Sequence, residues 1–462
     1  MRMLAAALAA VVGAAHVLTG DDALTDHSHD EALSITWRRP CAVVRPGSTA
    51  EVSAILRLAA EHGVSVTARG SGTGLSGAAV PAEGALVVSF ARMNRVLEID
   101  TENHVAVVQP GVTLAELDRA AAAHGLTYPV QPGENGSSLG GNVATNAGGM
   151  RAVRYGATRQ QVLGLEAVLP SGEVLRTGGK LAKASTGYDL TQLIVGSEGT
   201  LALVTEATLR LYPRLPHQAT VLAPFPTVDE VAAAVPKVVA SGVGPLILEY
   251  LDTATMNAIT RAEDLELGLP DGVRAGSDAY LLVMLENGAK DRLDTDVERL
   301  GTLLAGLGAT DAYVLPGPAA RRLVEARERA FWTVRAMGAA DIVDVVVPRA
   351  AMPEFLRRAG EIAERYGSRL AGCGHAGDGN VHLSVFEPDD DTRHRLLGEV
   401  FRAGRELGGL ISGEHGIGRS KRRHHRELTD PVTLALLARV KAAFDPHGIL
   451  NPEISPSPED TT

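Results

Sequence analysis

Cysteine is nearly absent. Cys41 and Cys373 are the two in 462 residues, too few for a disulfide framework and too few to hold an iron–sulfur cluster unaided. Electrons handled by this chain would therefore travel on another carrier. Aromatic residues make up 4%, which argues against a cage for a large aromatic substrate. Basic charge is in deficit, with a net charge of -11, so there is no general field for nucleic acid. No uninterrupted apolar run reaches the roughly 20 residues that span a bilayer. The opening "MRMLAAALAAVVGAAH" has the outline of a signal peptide, a basic residue before an apolar run. It is Ala-rich and continues into "VLTGDDALTDHS", so it reads equally as an amphipathic helix ending near Gly20. The reading favoured is a cytoplasmic protein, at most peripheral to a membrane.

Glycine, by contrast, is plentiful at 50 residues. From residue 40 to about 215, short apolar strands alternate with helices, as in "AVVRPGSTAEVSAILRLAAEHGVSVTARG", and glycines gather in the turns. The proline-bearing segment "RLYPRLPHQA" marks a boundary. Beyond it, repeated strand and helix units predict a second region with helices on one antiparallel sheet, making the chain α+β. The polar tail "SPSPEDTT" is expected to be unstructured.

Three glycine-rich segments stand out in the first half. "RGSGTGLSG" matches G-x-G-x-x-G at Gly72, Gly74 and Gly77, but a dinucleotide fingerprint must open a helix, and here Pro81, Gly84 and a strand follow. Such a loop still offers a nest of backbone N–H groups to a pyrophosphate. With "QPGENGSSLGGNVATNAGGMRAVRYG" and "LIVGSEGTLALVTEATLRL", it suggests a long ligand in close backbone contact at several points.

Together with "GHAGDGNVH", "GEHGIGRSK" and "FDPHGILNP", these segments resemble the flavoproteins of the vanillyl-alcohol-oxidase fold. The chain is most similar to their FAD-dependent D-2-hydroxy-acid dehydrogenases: D-lactate dehydrogenase, the glycolate oxidase flavin subunit and D-2-hydroxyglutarate dehydrogenase. The resemblance runs from about residue 40 to 453 with the motifs in order. It implies a two-lobed FAD-binding domain of the p-cresol-methylhydroxylase type over residues 1–217, an α+β cap over 218–425, and a segment 426–462 returning to the first domain. It also implies that Gly70, Ser71, Gly72, Thr73, Gly74 and Ser76 bind the pyrophosphate. Pro132, Gly133, Ser137, Gly141 and Asn142 would line the flavin, with Thr145, Gly148, Gly149 and Gly156. Glu198, Gly199 and Val204 would lie near the adenine end and Asn451 near the ring. The loop 69–77 holds no histidine, so FAD is expected to bind non-covalently. The electron acceptor, whether a quinone, a cytochrome, an electron-transfer flavoprotein or oxygen, leaves no short motif in the sequence, and a homodimer is admitted.

The second half carries the chemistry. In "CGHAGDGNVHLSV", Asp378-Gly379 fits a two-residue hairpin loop that would set His375 directly opposite His382 on one face. The plain alternative is a hairpin with two exposed histidines. "LISGEHGIGRSKR" adds Glu414 and His415 in a glycine-flanked loop. Two imidazoles and a carboxylate suit zinc or a similar divalent ion and leave positions open for substrate, and the resemblance points to the same His375, His382 and Glu414. His415 is the residue type able to take the substrate's hydroxyl proton, or it serves as a fourth ligand or a hydrogen-bonding neighbour. For the substrate carboxylate, Arg335 in "RERAFWTVRAMG" matches the family's tryptophan-x-x-arginine pattern, against the alternative of a helix-surface arginine. Lys421 sits in a basic run of the kind that usually faces solvent, and Asn380 either closes the turn or touches substrate.

The expected reaction is oxidation of a small D-2-hydroxy acid to the 2-oxo acid, with hydride transfer to the flavin. "GAADIVDVVVP" has no Lys or Arg for a second carboxylate, which favours D-lactate or glycolate over D-2-hydroxyglutarate, although Arg349 is close by. A non-redox flavin transferase of the alkylglycerone-phosphate-synthase kind is the rival class, and the run of consecutive histidines it relies on is missing.

Overall fold

A computed structural model describes residues 2–454, so the tail expected to be unstructured lies outside the described residues. The N-terminal apolar run forms a helix, Arg2–Val12, whose Leu4, Leu8 and Val12 are buried against the helix Thr49–Glu61 and its sheet. It ends at Val12, not near Gly20, because Gly13 takes φ 86° and turns the chain into a short strand, Val17–Leu18.

That strand joins Ala42–Val44, Leu86–Ser89 and Val66–Arg69 in a four-stranded sheet whose last three members run parallel. A five-stranded antiparallel sheet follows, in the order Val96–Asp100, Val105–Val108, Leu203–Arg210, Val162–Val168, Val174–Gly178. Helix starts obey the local sequence: Ser48 accepts from the Glu51 amide, and Thr113 with Glu116 forms a reciprocal capping box.

The second half builds one seven-stranded antiparallel sheet in the order Tyr313–Val314, His217–Phe225, Ala279–Asn287, Ile247–Asp252, Leu370–Gly374, Asn380–Val385, Asp341–Val346. Successive side chains on a strand alternate faces. Leu248, Tyr250, Val343, Val345, Val381 and Leu383 join the large core formed with the flanking helices. Their neighbours Glu249, Asp344, Asn380, His382 and Ser384 must emerge on the opposite face. This alternation gathers polar groups distant in sequence under the first half of the chain. The C-terminal segment then returns: Leu450 bridges Val66 in parallel, and the Asn451 amide donates to Val66 O at 2.9 Å.

Candidate active site

The loop after Val66–Arg69 and the helix Leu139–Thr145 form two walls of an open cleft. Ser138 caps that helix, and its Oγ lies where a Cβ on Gly70 would sit, at 1.9 Å, so only glycine lets the loop close on the helix. Gly70, Ser71, Gly72, Thr73, Gly74 and Ser76 all line the cleft. So do Pro132, Ser137, Gly141, Asn142, Thr145, Gly148, Glu198 and Gly199. Among the described residues the buried Asn142 Nδ2 has no acceptor, as expected of a donor aimed at a ligand.

Other predicted positions sit elsewhere. Gly133 lines a smaller inner pocket and Val204 a side pocket behind Gly70, whereas Gly149, Gly156 and Asn451 line none of these. Gly149, at φ 126°, has Gln131 O 1.9 Å from its would-be Cβ, so its role is close backbone packing. Asn451 donates to Ala78 O and Glu198 O and ties the returning segment to the cleft. Glu198 lies toward the 412–418 loop, accepting from the Ile417 and Gly418 amides, and burial pushes its carboxyl up to about 7. Asp30, from the N-terminal segment, lines the cleft and had no motif to announce it.

The inner pocket opens beside the cleft: Leu75, Pro132, Glu414 and His415 line both. His375, His382 and Glu414 meet here. Glu414 Oε1 is 3.1 Å from His375 Nε2 and 3.2 Å from His382 Nε2, and the candidate ligand atoms lie within 4.8 Å of one another. The buried Glu414 Oε2 has no donor. Two converging imidazoles and a carboxylate with a spare oxygen are the donor set of an open divalent-metal site, so the residues fit such an ion. Burial alone would neutralise both partners, yet Glu249 and Glu414 hold the His375 pKa well above its usual value, and His375 with His382 holds Glu414 well below the carboxylate range.

The turn that delivers the histidines is not the expected two-residue hairpin. Cys373, not His375, is paired with His382, and residues 376–378 form a 3₁₀ turn closed by Gly379 at φ 79°. A two-residue loop of that type needs positive φ at both central residues, and Asp378 does not adopt it. His375 has left the strand, and the two rings meet edge to face with centroids 5.0 Å apart.

Asp344 organises the 412–418 loop. Its Oδ2 accepts from Ser412 Oγ at 2.7 Å, from the amides of His415 (2.9 Å), Gly413 (3.1 Å) and Glu414 (3.2 Å), and from Lys421 Nζ at 3.3 Å. Asn380 Nδ2 donates to Oδ1 at 2.9 Å. Asp344 also lies within metal-ligand range of His382 and His415, and the donors gathered on its oxygens make it the anchor of the loop. Lys421 is accordingly buried, contrary to the solvated face expected of its basic run, and Asn380 serves Asp344 rather than a substrate. His415 Nδ1 faces Asp344 at 3.7 Å and Nε2 lies 3.9 Å from Glu414. Burial lowers its pKa to about 4, so it is neutral at pH 7.

Arg335 is not brought into this pocket. It is 43% exposed and pairs with Glu31 at 2.6 Å, because the chain breaks at Arg329 between the helices Gly317–Glu328 and Ala330–Ala336. The guanidinium that lines the pocket is Arg327, missed in the sequence eight positions earlier. It lies 2.7 Å from Glu249 Oε2, outside hydrogen-bonding alignment, and its buried Nε and Nη2 have no acceptor. Glu249 completes the cluster with Oε1 at 2.7 Å from His375 Nδ1.

Residues 40–178 match the family model described as "FAD binding domain", and residues 214–454 match "FAD linked oxidases, C-terminal domain". The chain is 56% identical over 98% of its length to an uncharacterized FAD-linked oxidoreductase of Mycobacterium tuberculosis, 99% of which is covered. It is 40% identical to a D-lactate dehydrogenase of Archaeoglobus fulgidus (89% of this chain, 90% of the relative). It is 39% identical to the glycolate oxidase subunit GlcD of Bacillus subtilis (89% and 88%). Among solved structures, p-cresol methylhydroxylase superposes with a TM-score of 0.81 at 18% identity over 99% of this chain and 96% of that one, a likeness of fold.

Proposed function

Because the chain belongs to the FAD-linked oxidoreductases that include D-lactate dehydrogenase and the glycolate oxidase subunit GlcD, we propose that it oxidises a small D-2-hydroxy acid, D-lactate or glycolate foremost, to the 2-oxo acid. The observation that carries this reading is the convergence of His375, His382, Glu414, His415 and Arg327 on one pocket that shares a wall with the FAD cleft.

FAD, when bound, supplies the hydride acceptor, and a divalent ion such as zinc, held by His375, His382 and Glu414, would supply Lewis acidity to the substrate hydroxyl. Arg327, whose Nη2 lies against Glu249, keeps a buried Nε–H at the pocket for the substrate carboxylate. With Nδ1 of His415 turned toward Asp344, its Nε2 is the atom that takes up the hydroxyl proton. Leu75, Met150, Phe331, Val334 and Ile342 exclude water from the rest of the pocket. Ile342 offers no charge to a second carboxylate, and Arg349 is committed to Gly377 O, which supports a monocarboxylate.

The test is anaerobic addition of D-lactate, glycolate, D-2-hydroxyglutarate and L-lactate to the FAD-loaded protein. Bleaching of the oxidised flavin by D-lactate or glycolate, with L-lactate inert, is expected. Bound FAD that none of the four acids reduces overturns the reading and brings the transferase class forward.

A further inference from the structure

Glu249 is fully buried in the middle of the strand Ile247–Asp252, itself inside the seven-stranded sheet. Its neighbours Leu248 and Tyr250 face the core, so its carboxylate stands on the site face. A carboxylate without solvent is costly unless both oxygens are engaged. Oε1 is hydrogen-bonded to His375 Nδ1 at 2.7 Å, and Oε2, without an aligned hydrogen bond, is ion-paired with Arg327 Nη2 at 2.7 Å. One rigid strand residue thus touches a group proposed to hold the ion and the group proposed to hold the substrate carboxylate.

We propose that Glu249 is the positioning residue of this active site, setting His375 and Arg327 relative to one another so that ion and substrate carboxylate are presented at a fixed separation. The proposal rests on the metal and carboxylate roles argued above. The carboxylate engages Nδ1 at 2.7 Å and leaves Nε2, 3.1 Å from Glu414 Oε1, as the ring nitrogen that would face the ion. On the other side it holds the guanidinium from one edge and leaves Nε unpaired at the pocket. A residue serving only to neutralise Arg327 would need no contact with His375. The sequence hid it: "LILEYLD" reads as a buried strand run with one acidic interruption.

The test compares zinc affinity by equilibrium dialysis in the FAD-loaded wild type, E249Q and the double variant E249Q/R327Q, with FAD content and melting temperature as controls for folding. Losing a carboxylate behind a ligating histidine typically weakens metal binding about 10- to 100-fold. The expected result is a loss of that size in E249Q that persists in the double variant. The double variant carries no unpaired buried charge, which guards against a failure of E249Q to fold. Zinc affinity within twofold of wild type in the double variant reduces Glu249 to a counter-charge for Arg327 and overturns the proposal. A wild type that binds no zinc overturns the metal reading itself, and with it this inference, before any variant is measured.

Discussion

Replacing Asp344 with asparagine probes the anchor that holds Glu414 and His415 in place. In wild type, charged neighbours, the Lys421 ammonium among them, outweigh burial and hold the Asp344 carboxyl far below its usual range. The best arrangement of D344N keeps its amide oxygen on the crowded Oδ2 side and turns its NH₂ toward Asn380 Nδ2. That loses one buried hydrogen bond and opposes two donors, at about 1–3 kcal/mol. Lys421, its side chain 5% exposed, loses its countercharge, which for a buried pair costs about 3–5 kcal/mol. The total of roughly 4–8 kcal/mol is a large share of the about 5–15 kcal/mol that typically separates folded from unfolded states. Calorimetry on D344N, K421M and D344N/K421M measures it. D344N should melt about 4–8 °C lower, at roughly 1 °C per kcal/mol for a chain of 462 residues. The double variant should be more stable than D344N, because it leaves no ammonium buried without a counterion. A D344N protein within about 2 °C of wild type, or a double variant weaker than D344N, would refute the reasoning.

R327Q should raise the dissociation constant for D-lactate in anaerobic rapid-mixing reduction by about 30-fold or more, the effect of at least 2 kcal/mol for a truncated buried charge contact. R335Q should change it less than about threefold, since its guanidinium is held by Glu31 outside the pocket. Equal losses in the two variants would contradict the placement of Arg327. Glu198 links pH to stability: its carboxyl rises from 4.5 to about 7 on folding, so between those values the folded state holds the extra proton and stability falls as pH rises, by about 3 kcal/mol in all. Burial also raises the Glu328 and Asp378 carboxyls to about 7, so urea unfolding of the flavin-free protein at pH 4.5 and 7.5 should show a decline in both proteins that is about 3 kcal/mol smaller in E198Q. An identical pH dependence in both proteins would remove Glu198 as a source of it.

Much of the cleft was legible because its determinants are local. The loop at 69–77 and the Ser138-capped helix are written in contiguous glycines and small residues, and the chemistry of "GEHG" is likewise carried by neighbours in the chain. What escaped depends on distance. Glu249, Arg327 and Asp344 reach the site through strand pairing and helix breaks, and each sits in a run that reads as ordinary buried strand or amphipathic helix. Arg335 lies outside the pocket because the break at Arg329 re-aims the second helix, which periodicity across "RERAFWTVRAMG" does not register. The hairpin was misread for a related reason: Asp-Gly is compatible with more than one loop, and the 3₁₀ turn won once Gly379 had to lie against Val347 O, 2.0 Å from its would-be Cβ.

The most direct measurement is the flavin spectrum of the protein stripped of divalent metal by chelation, still carrying FAD, on anaerobic addition of D-lactate, and again after zinc is restored. The account predicts that the stripped protein stays oxidised and that the restored protein bleaches. Bleaching of the stripped, FAD-loaded protein at an undiminished rate would contradict it.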